Sequence, residues 1–213
     1  MSSQNGSHHE STSASLLVRV RDPADASAWR EFEDRYATLI RCYCTRRRIE
    51  PADVDDISQI VWSKLANGLR NFCYDPAKGR FRSYLYQVVR SAISRQFAHK
   101  RRDERWLESH EDLAHLIFDD SQHDEVWNRE WVDHHFRLAM QTIEQTFDSH
   151  NVAIFHRLLA GESAEIIARS LGTTAGTINQ AKHRIRSRMK ELVALQVLEE
   201  DNPARFAEVV GKS

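Results

Sequence analysis

Apolar residues recur at helical spacing through the first half of the chain. An aromatic stripe predicts a helix that begins near Ala26. Its members are Trp29, Phe32, Tyr36, Leu39, Ile40 and Tyr43. Two more helices are predicted, from Asp53 to Leu69 and from Phe81 to Arg102, with a loop between them that carries Asp-Pro and Lys-Gly pairs.

In the second half, a predicted long helix starts near Val126, and Val152 to Ala160 forms another that stops at Gly161. Ser163 is a natural cap for a short helix from Ala164 to Ser170. We expect Ile166, Ile167 and Leu171 to face inward. A turn at Gly172 and a second cap at Thr174 lead into a basic helix whose inward positions are Ile178, Ile185, Met189 and Leu192. This pattern is typical of a helix-turn-helix.

The predicted fold class is all-α, with two small helical domains joined by an acidic linker and the helix-turn-helix in the C-terminal domain. Only seven Gly and four Pro occur, almost wholly outside the periodic segments. The predicted divisions are a disordered N-terminal tail (1–19), a first domain (20–102), the linker (103–125), a second domain (126–195) and a C-terminal tail (196–213).

A formal net charge of -1 hides a strong charge pattern. Residues 76–102 contain eight Lys or Arg and no acid, residues 103–131 contain ten acids and two Arg, and residues 166–190 contain six basic residues and no acid. Two cationic surfaces separated by an anionic spacer favour a nucleic-acid partner.

Several function classes are not favoured. Cys42, Cys44 and Cys73 lack zinc or redox spacing, so we expect reduced thiols, no metal and no cofactor. No nucleophile motif is present, which argues against an enzyme. Because no apolar run is long enough to span a membrane and no signal peptide is seen, the expected location is the cytoplasm.

On the basic helix of the helix-turn-helix, the side opposite Ile178 is expected to face solvent or the major groove. Asn and Gln can pair with adenine and Arg with guanine, while other cations contact phosphate. The duplex-binding candidates are Thr174, Thr177, Asn179, Gln180, Lys182, His183, Arg184, Arg186 and Ser187. The alternative is a helix pair that only closes a bundle.

In the first domain, arginines alternate with aromatic residues at the start of the acid-free helix. Such a surface suits unpaired bases, which stack on rings while cations hold the backbone. Phe81 and Tyr84 are equally explained as core residues. The candidates for this second DNA contact are Asn71, Asp75, Arg80, Arg82, Arg90, Arg95, Lys100, Arg101 and Arg102.

An acidic cluster begins the helix before it. Its carboxylates are favoured there by the helix dipole alone, or they form a docking surface for a basic partner. The docking candidates are Asp53, Asp55, Asp56, Gln59 and Trp62.

Three segments resemble the extracytoplasmic-function sigma factors of the sigma-70 family. Residues 53–61 (DVDDISQIV) are similar to the family's D-A-E-D-L-V-Q-E-V-F motif, and residues 74–85 (YDPAKGRFRSYL) to D-P-x-x-G-x-F-R-x-W-L, with Tyr84 in place of Trp. Residues 163–168 (SAEIIA) and 171–178 (LGTTAGTI) resemble the family's helix-turn-helix. Family members usually continue with K-S-R-L-x-R-A. Here residues 179–185 read NQAKHRI, and only Arg184 matches that continuation.

The resemblance implies a subunit that directs promoter-specific transcription initiation. Its first domain would dock on the beta-prime clamp helices of core RNA polymerase and melt the minus-ten element. Its second would bind the minus-thirty-five element, with the beta flap as a further contact and an anti-sigma factor as a regulator. The alternatives are a homodimeric helix-turn-helix regulator, or a protein that binds only polymerase or an RNA.

Overall fold

The computed structural model describes residues 15–71, 81–103 and 120–210. Within these ranges the chain is helical and has no strand, which confirms the all-α class. The chain divides into two compact units, one made of Met1–Asn128 with Val197–Ser213 and the other of Arg129–Gln196. None of the described helices is both long and apolar enough to cross a membrane.

Four helices and a short 3₁₀ turn form most of the first unit. They are α1 (Leu16–Arg19), α2 (Ala26–Arg46), α3 (Pro51–Gly68) with its 3₁₀ extension Leu69–Asn71, and α4 (Phe81–Asp103). Asp25 begins α2 by accepting the Ala28 N–H at 2.8 Å. Hydrogen bonds from the Ser27 hydroxyl and from this amide lower the pKa of Asp25 to about 2.

The core of the first unit is aromatic. Phe32, Tyr36 and Phe81 are fully buried, with ring centroids 4.8 to 6.0 Å apart. Ile57 and Leu65 of α3 are buried as well. The stripe predicted for α2 therefore joins α2, α3 and α4, because aromatic rings bury a large area and favour tilted contacts.

The second unit contains most of α5 (Asp120–Thr146), α6 (Ser149–Leu159), α7 (Ala164–Leu171) and most of α8 (Ala175–Asp201). Its core has two apolar clusters. One comprises Ala139, Met140, Ile143, Val152, Phe155, Ile185 and Leu192. The other comprises Ile154, Ile167, Ala168, Ile178 and Ala181, and it joins α6, α7 and α8.

Three segments differ from the predicted divisions. Leu16 and Leu17 were assigned to a disordered tail but are buried in the first unit. Helix α5 begins at Asp120, inside the predicted linker, and α8 extends to Asp201 with α9 (Pro203–Val210) beyond it. The first residues of α5 are polar, so no apolar stripe marks the start of this helix in the sequence.

Three apolar side chains of α7 were predicted to face inward, and the prediction is correct for one of them and wrong for two. Ile167 is fully buried, whereas Ile166 is 55% exposed and Leu171 is 39% exposed. Neighbouring helical residues differ by about 100° in direction, so a two-turn helix that buries Ile167 turns Ile166 toward solvent.

Candidate nucleic-acid interface

The turn between α7 and α8 is built by local polar contacts and one glycine. The Ser163 hydroxyl accepts the Ile166 N–H at 3.3 Å and caps α7. Gly172 follows α7 with φ +62°, a left-handed conformation that favours glycine. The Thr174 hydroxyl then accepts the Thr177 N–H at 3.2 Å and starts α8. These contacts fix the direction in which α8 leaves the turn.

Helix α8 buries one side and exposes the predicted duplex-binding side. Ile178, Ala181 and Ile185 are buried in the core clusters of the second unit. On the other side, seven of the nine duplex-binding candidates are exposed and two are half-buried. The exposed ones are Thr174, Thr177, Asn179, Gln180, His183, Arg184 and Arg186, and the half-buried ones are Lys182 and Ser187.

A basic row runs along this side of α8. Lys182, Arg186 and Lys190 follow each other at four-residue spacing, so they lie on successive turns. With Asn179, His183 and Ser187 they line a shallow groove of about 420 Å³. The sequence predicts Lys182, Arg186, Arg188 and Lys190 as phosphate contacts, and the groove contains all of these except Arg188.

Arg184 lies beside this row and contacts α6. Its Nη2 lies 3.5 Å from the Asn151 Oδ1, at the limit of a hydrogen bond. Both side chains are in the exposed part of the second unit, and the weak contact leaves the guanidinium accessible to a ligand.

The basic residues of α4 fall on two sides of the helix. Arg82 and Arg90 are half-buried, and helical geometry places them roughly 80° apart around the axis. Arg95 is exposed and lies roughly 140° from either of them. The other minus-ten candidates lie outside the described residues or have side chains that do: Asn71, Asp75, Arg80, Lys100, Arg101 and Arg102.

The two aromatic candidates at the start of α4 serve the core. Phe81 is fully buried against Phe32 and Tyr36, so it is a core residue and no platform for a base. Tyr84 is half-buried, and burial raises the pKa of its phenol. Its hydroxyl lies over Gly68, where a Cβ would come within 2.1 Å of it. Glycine at this position therefore makes room for Tyr84.

The acidic cluster of α3 is partly engaged inside the first unit. Asp53 is only 4% exposed, and its Oδ1 accepts the Gln96 Nε2 at 3.2 Å. The same amide donates to Asp56 Oδ2 at 3.1 Å. Asp55 is exposed and pairs with Arg41 at 2.9 Å. Gln96 was not predicted, because its partners lie some 40 residues away in sequence and no local pattern signals the contact.

A hollow of about 470 Å³ lies between α3 and α4. Its lining brings together docking candidates of α3 and one predicted DNA-contact residue of α4. The residues are Asp56, Gln59, Ile60, Ser63, Lys64, Arg95 and Gln96. Arg95 therefore lies with the docking candidates. Trp62, another docking candidate, is half-buried, and its ring makes an edge contact with Phe32, with 6.2 Å between the ring centroids.

Metal-ligating groups are not clustered in the part of the chain that the structure describes. No group of three His, Cys, Asp or Glu side chains there could hold a metal ion. Cys42 and Cys44 are free thiols, and burial raises the pKa of Cys44 to about 12. The predicted reduced state fits these two residues, and Cys73 lies outside the described ranges.

Comparison with known families finds a similarity in the first unit. No curated protein and no solved structure matches the chain. Residues 34–103, which include all of α3 and α4 and more than half of α2, match the family model described as Sigma-70 region 2. The match covers about a third of the chain, and it shows that this part of the first unit is similar to region 2 of the sigma-70 proteins.

Proposed function

We propose that this protein is a sigma factor of the extracytoplasmic-function type, which directs promoter-specific transcription initiation. The observation that carries the proposal is a pair of helices joined at Gly172, the second with an exposed basic face, on the same chain as a Sigma-70 region 2 match. A chain with both parts can hold one promoter at two places. We propose that it acts in the cytoplasm, without an enzymatic activity of its own.

The helix-turn-helix is proposed to bind the minus-thirty-five element as duplex. Lys182, Arg186 and Lys190 contact phosphates from successive turns of α8 and set its register in the groove. Gln180 and Arg184 are exposed, and they read base edges. Each good base contact contributes about 1 to 3 kcal/mol of discrimination.

Helix α4 is proposed to bind and open the minus-ten element. Arg82 and Arg90 lie roughly 80° apart around the axis of a helix that has no acid before Asp103. The positive electrostatic potential of this helix favours a phosphate backbone. The proposal also includes Lys100, Arg101 and Arg102 near the end of the helix, whose side chains lie outside the described residues. Arg95 is better placed for the polymerase surface, since it lines the α3–α4 hollow.

The exposed side of α3 is proposed to dock on the beta-prime clamp helices of core RNA polymerase. Asp55, Asp56 and Gln59 are exposed and present oxygen acceptors to a basic partner. Asp53 acts indirectly, because it is buried and holds Gln96 in place beside Asp56. The second unit is proposed to meet the beta flap, and an anti-sigma factor is the proposed regulator.

The test is reconstitution with core RNA polymerase on a pool of genomic DNA fragments. We expect transcripts that start at a shared promoter sequence and that core polymerase alone does not make. Replacing Gln59 with alanine should weaken binding to core polymerase, while alanine at exposed Asn67, on the same helix but outside the hollow, serves as the control. A homodimer that binds a palindromic duplex without polymerase would instead support the alternative regulator.

A further inference from the structure

The start of α6 lies beside the middle of α8. Val152 and Phe155 of α6 and Ile185 of α8 belong to one buried apolar cluster. Asn151 and Arg184 each directly precede a member of that cluster, and the Arg184 Nη2 lies 3.5 Å from the Asn151 Oδ1. All five residues belong to the second unit. The packed cluster therefore holds the backbones of these two polar residues next to each other.

Asn151 is the third residue of α6, and its backbone N–H has a partner of its own. The Asp148 carboxylate caps the helix and accepts the N–H groups of His150 at 2.9 Å and Asn151 at 3.3 Å. An asparagine side chain commonly bonds to nearby backbone. Here its oxygen instead contacts a guanidinium that lies 33 positions along the chain. The Asn151 side chain thus serves the contact with α8 and leaves the capping of α6 to Asp148.

This contact suits an arginine that reads a base. A guanidinium has five N–H donors, and the contact at Nη2 uses one of them. The other donors still include a parallel pair, which matches the O6 and N7 acceptors of guanine. Arg184 is exposed, so this pair is open to a ligand. Because the Asn151 amide is neutral, it orients the arginine without cancelling the charge that attracts DNA.

We propose that Asn151 is a positioning residue that orients Arg184 toward a guanine in the upstream promoter element, and so determines how strongly that base is preferred. This inference rests on the proposed function and deepens it, since it adds a specificity-determining residue from α6 to those of α8. Asn151 acts through Arg184 and touches no base itself. Its contribution is to reduce the side-chain freedom that Arg184 loses on binding.

The test uses the full-length chain with core polymerase and a promoter found by reconstitution. The upstream element is randomised, each template carries a barcode in its transcribed part, and sequencing of the transcripts gives the base preference at every position. The wild type should prefer guanine at one position by roughly 5- to 150-fold, and Arg184→Ala should abolish that preference. Asn151→Ala should weaken it by about two- to tenfold at the same position only. Gln145→Ala removes an exposed amide of α5 and should leave the preference unchanged.

A conservative variant separates the acceptor oxygen from a structural role. Asn151→Asp keeps an oxygen at the same place, so the preference for guanine should remain within about twofold of the wild type. Its added negative charge repels phosphates, so total transcript yield should fall by a similar factor for all upstream sequences. If Asn151→Asp lost the preference as Asn151→Ala does, the acceptor would have no role and the inference would be overturned.

A double variant tests whether Asn151 acts through Arg184. Adding Asn151→Ala to Arg184→Ala should change the base preferences no further, because the orienting contact is already absent. A further loss, a loss at a different position, or an unchanged guanine preference in the single Asn151→Ala variant would each overturn the inference.

The same experiment distinguishes this inference from the proposed function. Promoter-dependent transcripts without a guanine preference that depends on Arg184 would overturn the role of Asn151 and leave the proposed function standing. If the wild type gives no promoter-dependent transcripts with core polymerase, the proposed function fails, and the role of Asn151 fails with it.

Discussion

Gly172→Ala tests the turn that orients α8, the proposed DNA-binding helix. Gly172 has φ +62°, and a Cβ built there meets no atom within 4 Å. The cost of the substitution is therefore conformational, about 1 kcal/mol for a non-glycine residue in the left-handed region. In a chain of this length, 1 kcal/mol lowers the melting temperature by about 2 to 4 °C. Asparagine tolerates this conformation better, so Gly172→Asn should fall between wild type and alanine.

The matched control is a second glycine four positions later with the opposite expected sign. Gly176 lies in the first turn of α8, and a Cβ there would make an ordinary 3.5 Å contact with the Thr174 hydroxyl. Alanine at Gly176 should raise stability by about 0.5 kcal/mol, since it restricts the unfolded chain. Thermal unfolding followed by circular dichroism and calorimetry measures both. An alanine at Gly172 that melts at or above the wild-type temperature would refute the left-handed turn.

Three further outcomes are expected. Ile143→Ala removes a fully buried side chain from the second unit and should cost about 3 kcal/mol in chemical denaturation; a cost below 1 kcal/mol would contradict its core position. Because burial raises the pKa of Cys44 to about 12, iodoacetamide at neutral pH should leave Cys44 unmodified in the folded chain, as peptide mass spectrometry can show; rapid labelling would contradict its burial. The folded pKa of Asp25 is lowered to about 2, so its contribution to stability is present above its unfolded pKa and is lost between about pH 4 and pH 2. Asp25→Ala should therefore make the melting temperature fall less steeply over that range. An unchanged slope of melting temperature against pH would refute the role of Asp25 as a helix cap.

Helix positions were predictable where apolar residues recur at helical spacing over a long stretch of sequence. The start of α2 at Ala26 and of α4 at Phe81 agree with the sequence, because an aromatic stripe and a loop rich in turn residues mark them. The cap at Ser163 and the turn at Gly172 were also readable, since both use local chemistry. The burial of Leu16 and the extension of α8 to Asp201 were not, because both depend on contacts between residues far apart in sequence.

The same distinction applies to the candidate site. The exposed face of α8 followed from helical geometry once Ile178 was placed inward. The hydrogen bond between buried Asp53 and Gln96, and the grouping of Arg95 with Asp56, join residues of α3 and α4. Periodicity within one helix carries no information on the rotation of its neighbour, so those positions could be assigned only from the structure.

The salt dependence of duplex binding isolates the basic row of α8. Neutralising Lys182, Arg186 and Lys190 together should reduce the slope of log K against log salt by about 3, since each phosphate contact contributes about 0.9. The exposed pair Arg188 and Glu191 lies outside the groove, and its double replacement by alanine is the matched control. An unchanged slope in the triple variant would remove the phosphate contacts from the account.

The central claim is that one chain, bound to core RNA polymerase, holds a promoter at two separate places. The most direct measurement is footprinting of the polymerase complex on a promoter found by reconstitution, with permanganate to detect unpaired thymines. We predict two protected regions, with loss of the upstream one when the basic row of α8 is neutralised and persistence of unpaired thymines near the start site. Protection of a single palindromic site that needs no polymerase, or no unpaired thymines in any complex, would contradict the account.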